Sequence, residues 1–192
     1  GKVVKEAGIA SPLRPFANAY LGTSEFTLEE TTLAYTMFPG AGTRPERTHI
    51  IDRIEDADGE LVYQREDSRR NVVSVATAWQ VHSMMTDTLA RGTADKAMTD
   101  YGLAVAGTAG KTGTAYGFTD VWFLGYNDRL TFRFWIGIDR PQPIFPRLFS
   151  RFLAFTVWVD GMNTSRADSL ATPPKPPRPA TQVLAPLTHR RH

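Results

Sequence analysis

The sequence predicts an α/β chain of the α+β type, an antiparallel sheet with helices packed on it. Two observations carry that expectation. The first is a pair of strand-like runs, 119–126 and 130–138, separated by Asn127, Asp128 and Arg129, a composition suited to a hairpin turn. In the second run Leu130, Phe132, Phe134, Ile136 and Ile138 alternate with Thr131, Arg133, Trp135 and Gly137. A period of two buries one face of a strand and leaves the other partly wet. The second observation is a set of helical segments that carry their own start signals.

In chain order, Thr27 with Glu30 three residues on forms a capping box that opens a helix to about Phe38, and Pro39-Gly40 stops it. Residues 48–56 and 60–65 read as a hairpin about Asp58-Gly59. Ser74 caps a longer helix to Ala90, with Ala78, Val81, Met85, Thr88 and Leu89 on one face and Gly92 as its terminator. Residues 147–160 carry an apolar stripe of Leu148, Phe149, Phe152, Leu153, Thr156 and Val159, interrupted by Arg147 and Arg151. Packing across the sheet is the expected role of this helix, with interfacial membrane contact as the alternative. It is too short to span a bilayer comfortably.

The length suits one domain, and 42% hydrophobic with 22% charged residues is ordinary for a chain that buries a core. The absence of cysteine removes disulfide scaffolds and thiol nucleophiles. Arg166, Lys175, Arg178, Arg190 and Arg191 against Asp168 give residues 166–192 a charge of +4 within a total of +2, leaving −2 on the rest. That balance argues against a nucleic-acid partner for the folded part. The run from Pro173 to Pro179 makes 166–192 a proline-rich basic tail, expected to be disordered, after a folded unit of 1–165. No signal peptide or apolar run of membrane length is present.

Chemistry concentrates in Gly110-Lys111-Thr112-Gly113-Thr114. A lysine flanked by hydroxyls, beside a glycine that removes side-chain bulk, suits an anionic ligand gripped along a strand edge. A phosphate-binding P-loop needs a glycine where Val105 stands and a helix after the lysine, and Gly113, Gly117 and Phe118 make a poor first helical turn. The K-T-G of serine penicillin-binding proteins and β-lactamases needs a strand, which the surroundings provide. On an edge strand, alternation sends Lys111 and Gly113 to one face and Thr112 and Thr114 to the other.

The order G-T-A at 92–94, A-G-K-T-G-T-A at 109–115 and D-V-W-F-L-G-Y at 120–126, with L-G-T-S-E-F-T-L-E-E-T-T-L-A-Y-T-M-F at 21–38, resembles the C-terminal part of the transpeptidase domain of class A, bifunctional penicillin-binding proteins. The resemblance covers roughly 1–138. It implies a partial penicillin-binding-protein and serine β-lactamase-like fold with K-T-G on an edge strand, and a D,D-transpeptidase acting on peptidoglycan stem peptides and bound by β-lactams. It assigns Lys111 the positive potential of the site, the hydroxyls of Thr112 and Thr114 the substrate carboxylate, Gly113 a place in the binding strand, and the Thr114 N–H an oxyanion-hole role. No cofactor or metal is implied. Extracytoplasmic location, with membrane attachment through upstream sequence, is implied too.

The family nucleophile lies in S-x-x-K, followed by S-x-N. Neither occurs in this sequence: Ser24 leads to Thr27, Ser74 to Thr77 and Ser83 to Thr86. Thr93-Ala-Asp-Lys96 has the spacing with a threonine but comes in the wrong order, and reads as a solvated turn. The expectation is therefore an N-terminal part of the same domain ahead of Gly1, an inactive chain in isolation, and a strand 130–138 whose apolar edge lacks its family partner. A non-catalytic wall-binding or partner-binding module and a β-lactamase relative are the competing readings, with nucleotide binding a weaker third.

Several other residues have simpler roles. His82 lacks a second histidine or carboxylate at metal-ligand spacing and is assigned to packing. Asp120 is expected to make a strand-start hydrogen bond. Trp122, Phe123, Tyr126, Phe132, Phe134 and Trp135 are assigned to sheet packing.

Overall fold

The computed structural model describes residues 1–145, 147 and 149–165; the proline-rich tail at 166–192 and Leu148 lie outside them. The chain opens with the short helix α1 (Lys2–Glu6) and a 3-10 turn at Ala17–Leu21. Helix α2 (Leu28–Tyr35) starts at the expected box: the Glu30 N–H donates to the Thr27 hydroxyl at 3.1 Å, and the Thr27 N–H donates to the Glu30 carboxylate at 2.9 Å. Glu30 also accepts from the N–H groups of Ala10 and Ser11 and from the Ser11 hydroxyl, tying the preceding loop to the cap.

Four short strands follow. β1 (Thr43–Pro45) pairs antiparallel with β4 (Arg69–Asn71), and between them β2 (Arg53–Glu55) pairs with β3 (Leu61–Gln64). The first strand of this hairpin is shorter than expected, because the four residues Leu61–Gln64 of β3 offer ladder partners only to Arg53–Glu55. The β1–β4 pair was not expected, since three-residue strands show no alternation to read. Arg69 of β4 reaches across the pair to the hydroxyl and carbonyl of Thr43, and buried Arg44 ties β1 to the end of α1 by donating to the carbonyls of Glu6, Pro45 and Glu46.

Helix α3 (Val75–Ala90) begins at Ser74, whose hydroxyl accepts from the Thr77 N–H at 3.1 Å. Its buried face is Ala78, His82, Met85, Thr88 and Leu89. Ala78, Met85, Thr88 and Leu89 are the expected positions; His82 is buried beside them, and Val81 packs on this face partly buried.

The main sheet is β5 (Ala109–Thr114), β6 (Asp120–Tyr126) and β7 (Thr131–Gly137), all antiparallel and in that order. The β6–β7 turn closes as the composition predicts: Asn127 Oδ1 accepts from the N–H groups of Arg129 and Leu130. Asp120, at the start of β6, accepts from the Trp135 indole and the Thr119 hydroxyl, both at 2.8 Å.

Helix α4 (Ala154–Thr164) packs on one face of β6 and β7, while α3 and α2 cover the other. The α4 face is the main core: Phe123, Phe155, Trp158 and Met162 are wholly buried beside Leu103, Val105 and Val121. Burying each large apolar side chain contributes about 1.5–3 kcal/mol. Gly125 allows this contact, because a Cβ there would meet the Trp158 ring at 2.5 Å. Packing across the sheet is therefore what this segment does, but in a different phase from the expected stripe. Phe149 and Phe152 precede the helix and are about half exposed, and the buried positions are Ala154, Phe155, Trp158, Val159 and Met162. The expected stripe failed because Leu153 departs from helical geometry between a 3-10 turn at Ser150–Phe152 and α4, which breaks one continuous periodicity into two.

Candidate functional site

β5 lies at the edge of the sheet and pairs only with β6 among the described residues. Lys111 stands opposite Leu124, Thr112 opposite Phe123, Gly113 opposite Trp122 and Thr114 opposite Val121. The Ala115 N–H donates to the Asp120 carbonyl at 2.8 Å. Antiparallel alternation then directs the N–H and C=O of Thr114 and Thr112 outward, away from β6. Gly113 has no substitute at this register, since any Cβ would overlap the Trp122 indole.

The outward edge opens on a cavity of about 450 Å³ lined by Lys111, Thr112 and Thr114 together with Thr93 and Phe149, Ser150 and Arg151. Lys111 is exposed, and its ammonium donates to the Thr112 carbonyl at 2.9 Å. Partial desolvation by the surrounding protein draws its pKa below the ordinary lysine value. The Thr112 and Thr93 hydroxyls share a hydrogen bond at 2.6 Å. The Ser150 N–H donates to the Thr114 hydroxyl at 3.2 Å, while the buried Ser150 hydroxyl donates to the Trp122 carbonyl at 2.5 Å. Because Ser150 occupies a lone pair of Thr114, the Thr114 proton remains available to donate to another acceptor.

Thr93, Ser150 and Arg151 were not singled out as site residues from the sequence. Residues 93–96 do form a turn, as expected, but Ala94 is buried and the Thr93 hydroxyl is engaged rather than merely solvated. Its signal was the G-T-A match itself. Ser150 and Arg151 had no signal, because they reach the cavity through a chain reversal after β7.

Behind this edge, on the α3 side, the imidazole Nδ1 of His82 lies 3.0 Å from the Tyr126 hydroxyl, and both residues are buried. Burial lowers the His82 pKa and pushes the Tyr126 phenol far above its usual range. Arg133 lies over the Trp122 ring at 4.6 Å and donates to the Thr31 hydroxyl of α2.

The family model described as the penicillin binding protein transpeptidase domain matches residues 16–145, over half of the chain. The chain belongs to that family. Among relatives of this transpeptidase domain, penicillin-binding protein 2D of Bacillus subtilis is 30% identical across 95% of the chain and 26% of the relative. Penicillin-binding protein 1A of Neisseria gonorrhoeae is 33% identical across 74% of the chain and 18% of the relative. The chain thus spans about a quarter or less of the curated relatives it matches. In fold, the transpeptidase domain resembles penicillin-binding protein 1A from Haemophilus influenzae, with a TM-score of 0.73 at 19% identity over 91% of this chain and 32% of that one. Penicillin-binding protein PonA1 from Mycobacterium tuberculosis gives 0.71 at 20% identity over 90% of this chain and 50% of that one. These structures establish the fold class anticipated from the sequence.

Proposed function

We propose that this chain supplies the K-T-G wall of a serine D,D-transpeptidase that cross-links peptidoglycan stem peptides and is acylated by β-lactams. One observation carries the reading: in a transpeptidase-family chain, Lys111, Thr112 and Thr114 converge on a single open cavity at the outward edge of β5. In this reading residues 1–165 are the C-terminal part of the domain, 166–192 a tail, and catalysis takes place on the outer side of the cytoplasmic membrane. Among the described residues no helix is long and apolar enough to cross a membrane.

The division of labour follows from the chemistry. The Thr112 and Thr114 hydroxyls donate to the terminal carboxylate of a stem peptide, and Lys111 supplies positive potential beside it. A serine from S-x-x-K attacks the penultimate D-alanine carbonyl. The tetrahedral oxyanion then accepts from the outward Thr114 N–H, a contact of a kind that contributes about 2.7–4 kcal/mol of transition-state stabilisation. D-Alanine departs with a proton, and an amine of a neighbouring peptide resolves the acyl-enzyme. The residues of this chain bind and polarise, and no serine in its sequence stands in S-x-x-K.

Labelling with a fluorescent penicillin tests this assignment. The 192-residue chain is expected to remain unlabelled, and a gene product that adds S-x-x-K and S-x-N upstream is expected to label. A serine-linked adduct on the isolated chain, or a longer product that fails to label, contradicts it.

A further inference from the structure

Gly113 stands between Thr112 and Thr114, and without a Cβ its backbone is less restrained than theirs. By the alternation of the β5–β6 ladder it forms a hydrogen-bonded pair with Trp122. Rotation about its ψ swings the peptide plane that carries the Thr114 N–H. The Trp122 indole lies so close to Gly113 that no Cβ fits between them, and so it restricts that rotation. The indole is itself covered by the Arg133 guanidinium, whose Cζ lies 4.6 Å from the ring centre. Arg133 belongs to β7, and its Nη1 donates to the Thr31 hydroxyl near the start of α2. That hydroxyl donates in turn to the carbonyls of Thr27 and Leu28, at 2.9 and 3.1 Å. A continuous series of contacts thus runs from α2 through Arg133 and Trp122 to Gly113.

Arg133 is poorly suited to stabilising the fold alone. Among the described residues no carboxylate pairs with its guanidinium, and its Nε is buried without a hydrogen-bond partner. Burial draws its pKa below the ordinary arginine value. A partly buried cation without an anion contributes less to folding than an apolar side chain of similar volume. What the guanidinium adds is attraction to the face of an indole and a planar donor whose direction Thr31 fixes. We propose that Arg133 is a positioning residue for the K-T-G edge: it clamps Trp122 against Gly113 and so holds the Thr114 N–H facing the cavity. The inference rests on the K-T-G reading for its functional meaning, because Arg133 does not itself line the cavity.

The test is Arg133→Met in the 192-residue chain, which keeps the bulk and removes the cation. The midpoint of urea unfolding is expected to stay or rise. Backbone amide relaxation of the free chain should nevertheless show the order parameters of Gly113 and Thr114 falling from about 0.85 toward about 0.6, from rigid to flexible backbone. Affinity for diacetyl-lysyl-D-alanyl-D-alanine, read from the amide shifts of β5, should weaken about three- to tenfold, the range of one desolvated cation–π contact. Arg133→Lys should recover part of both effects, and Thr31→Val should show a smaller loss. In a Trp122→Leu background Arg133→Met should change neither quantity further, because the ring it acts through is gone. Unchanged order parameters at Gly113 and Thr114, loosening spread evenly over β5, β6 and β7 with a lowered unfolding midpoint, or additive losses in the double variant would overturn the inference. A chain that leaves the probe unbound contradicts the carboxylate reading alone, and the order parameters of the free chain then decide the role of Arg133.

Discussion

On one face of the main sheet the Phe123, Phe155 and Trp158 rings lie 4.7–6.2 Å apart and are wholly buried, without an ionisable group among them. On the opposite face the same strands present Lys111, Tyr126 and Arg133 toward α3 and α2. Strand alternation alone separates the two faces. The α4 face gains from area removed from water and is indifferent to pH. The α3 face buries polar groups that must find partners, so its stability depends on particular hydrogen bonds and on protonation state. Lys111 and Gly113 belong to this second face, whereas Thr112 and Thr114 belong to the first, and the candidate site forms where both faces meet the open edge of β5.

Substitutions can sharpen or break this contrast. The largest effect is expected from Trp158→Ala, which removes a fully buried indole. Loss of about 3–5 kcal/mol in urea unfolding is expected, with little dependence on pH. A loss under about 1 kcal/mol would remove the α4 face as the main core, because cavity terms alone exceed that.

On the other face, Tyr126→Phe leaves buried His82 without its hydroxyl partner and should cost about 1–3 kcal/mol. The sign of the pH dependence follows from burial. The folded state holds the His82 pKa below 6.5, so the unfolded chain binds more protons as pH falls through that value. The His82 contribution is thus complete above pH 6.5 and declines in acid, and His82→Gln should flatten that limb of a stability profile. An unchanged limb would show that the imidazole is not buried neutral.

A smaller effect is expected at the start of α2, the helix that Arg133 reaches. Burial opposes ionisation of Glu30, but hydrogen bonds from Thr27, Ser11 and Ala10 prevail and bring its pKa from 4.5 down to about 2. Its stabilising share is present above 4.5 and lost as pH falls toward 2. Thr27→Ala should lower stability by about 1 kcal/mol, the usual loss for a cap, measured by thermal unfolding at neutral pH. The smallest stability effect is expected from Thr112→Val, within about 0.5 kcal/mol for a position outside the core. That variant should nevertheless weaken carboxylate binding, and a variant that binds normally would separate Thr112 from the site.

The strands and helices with strong local signals were legible before the structure: Thr27 and Ser74 as caps, the β6–β7 hairpin at Asn127, and K-T-G on an edge strand. What escaped was set by contacts distant in sequence. Arg44 ties β1 to the end of α1 through the Glu6 carbonyl, far away in sequence, and no periodicity encodes that. The break at Leu153 rotates α4 away from the stripe read across 147–160. Lys111, Thr112 and Thr114 were identifiable because their chemistry is local to five residues, whereas Thr93, Ser150 and Arg151 become neighbours of that strand only through folding.

The central claim is that the outward edge of Gly110–Thr114 receives a carboxylate. Mapping the amide shifts of the chain during titration with diacetyl-lysyl-D-alanyl-D-alanine tests it most directly. The expected result is a set of saturable shifts at Thr93, Gly110–Thr114 and Ser150, abolished when the terminal carboxylate is replaced by an amide. Saturable shifts centred instead on the separate cavity between α2 and Pro45–Asp52, or shifts at β5 that persist with the amide, would contradict it.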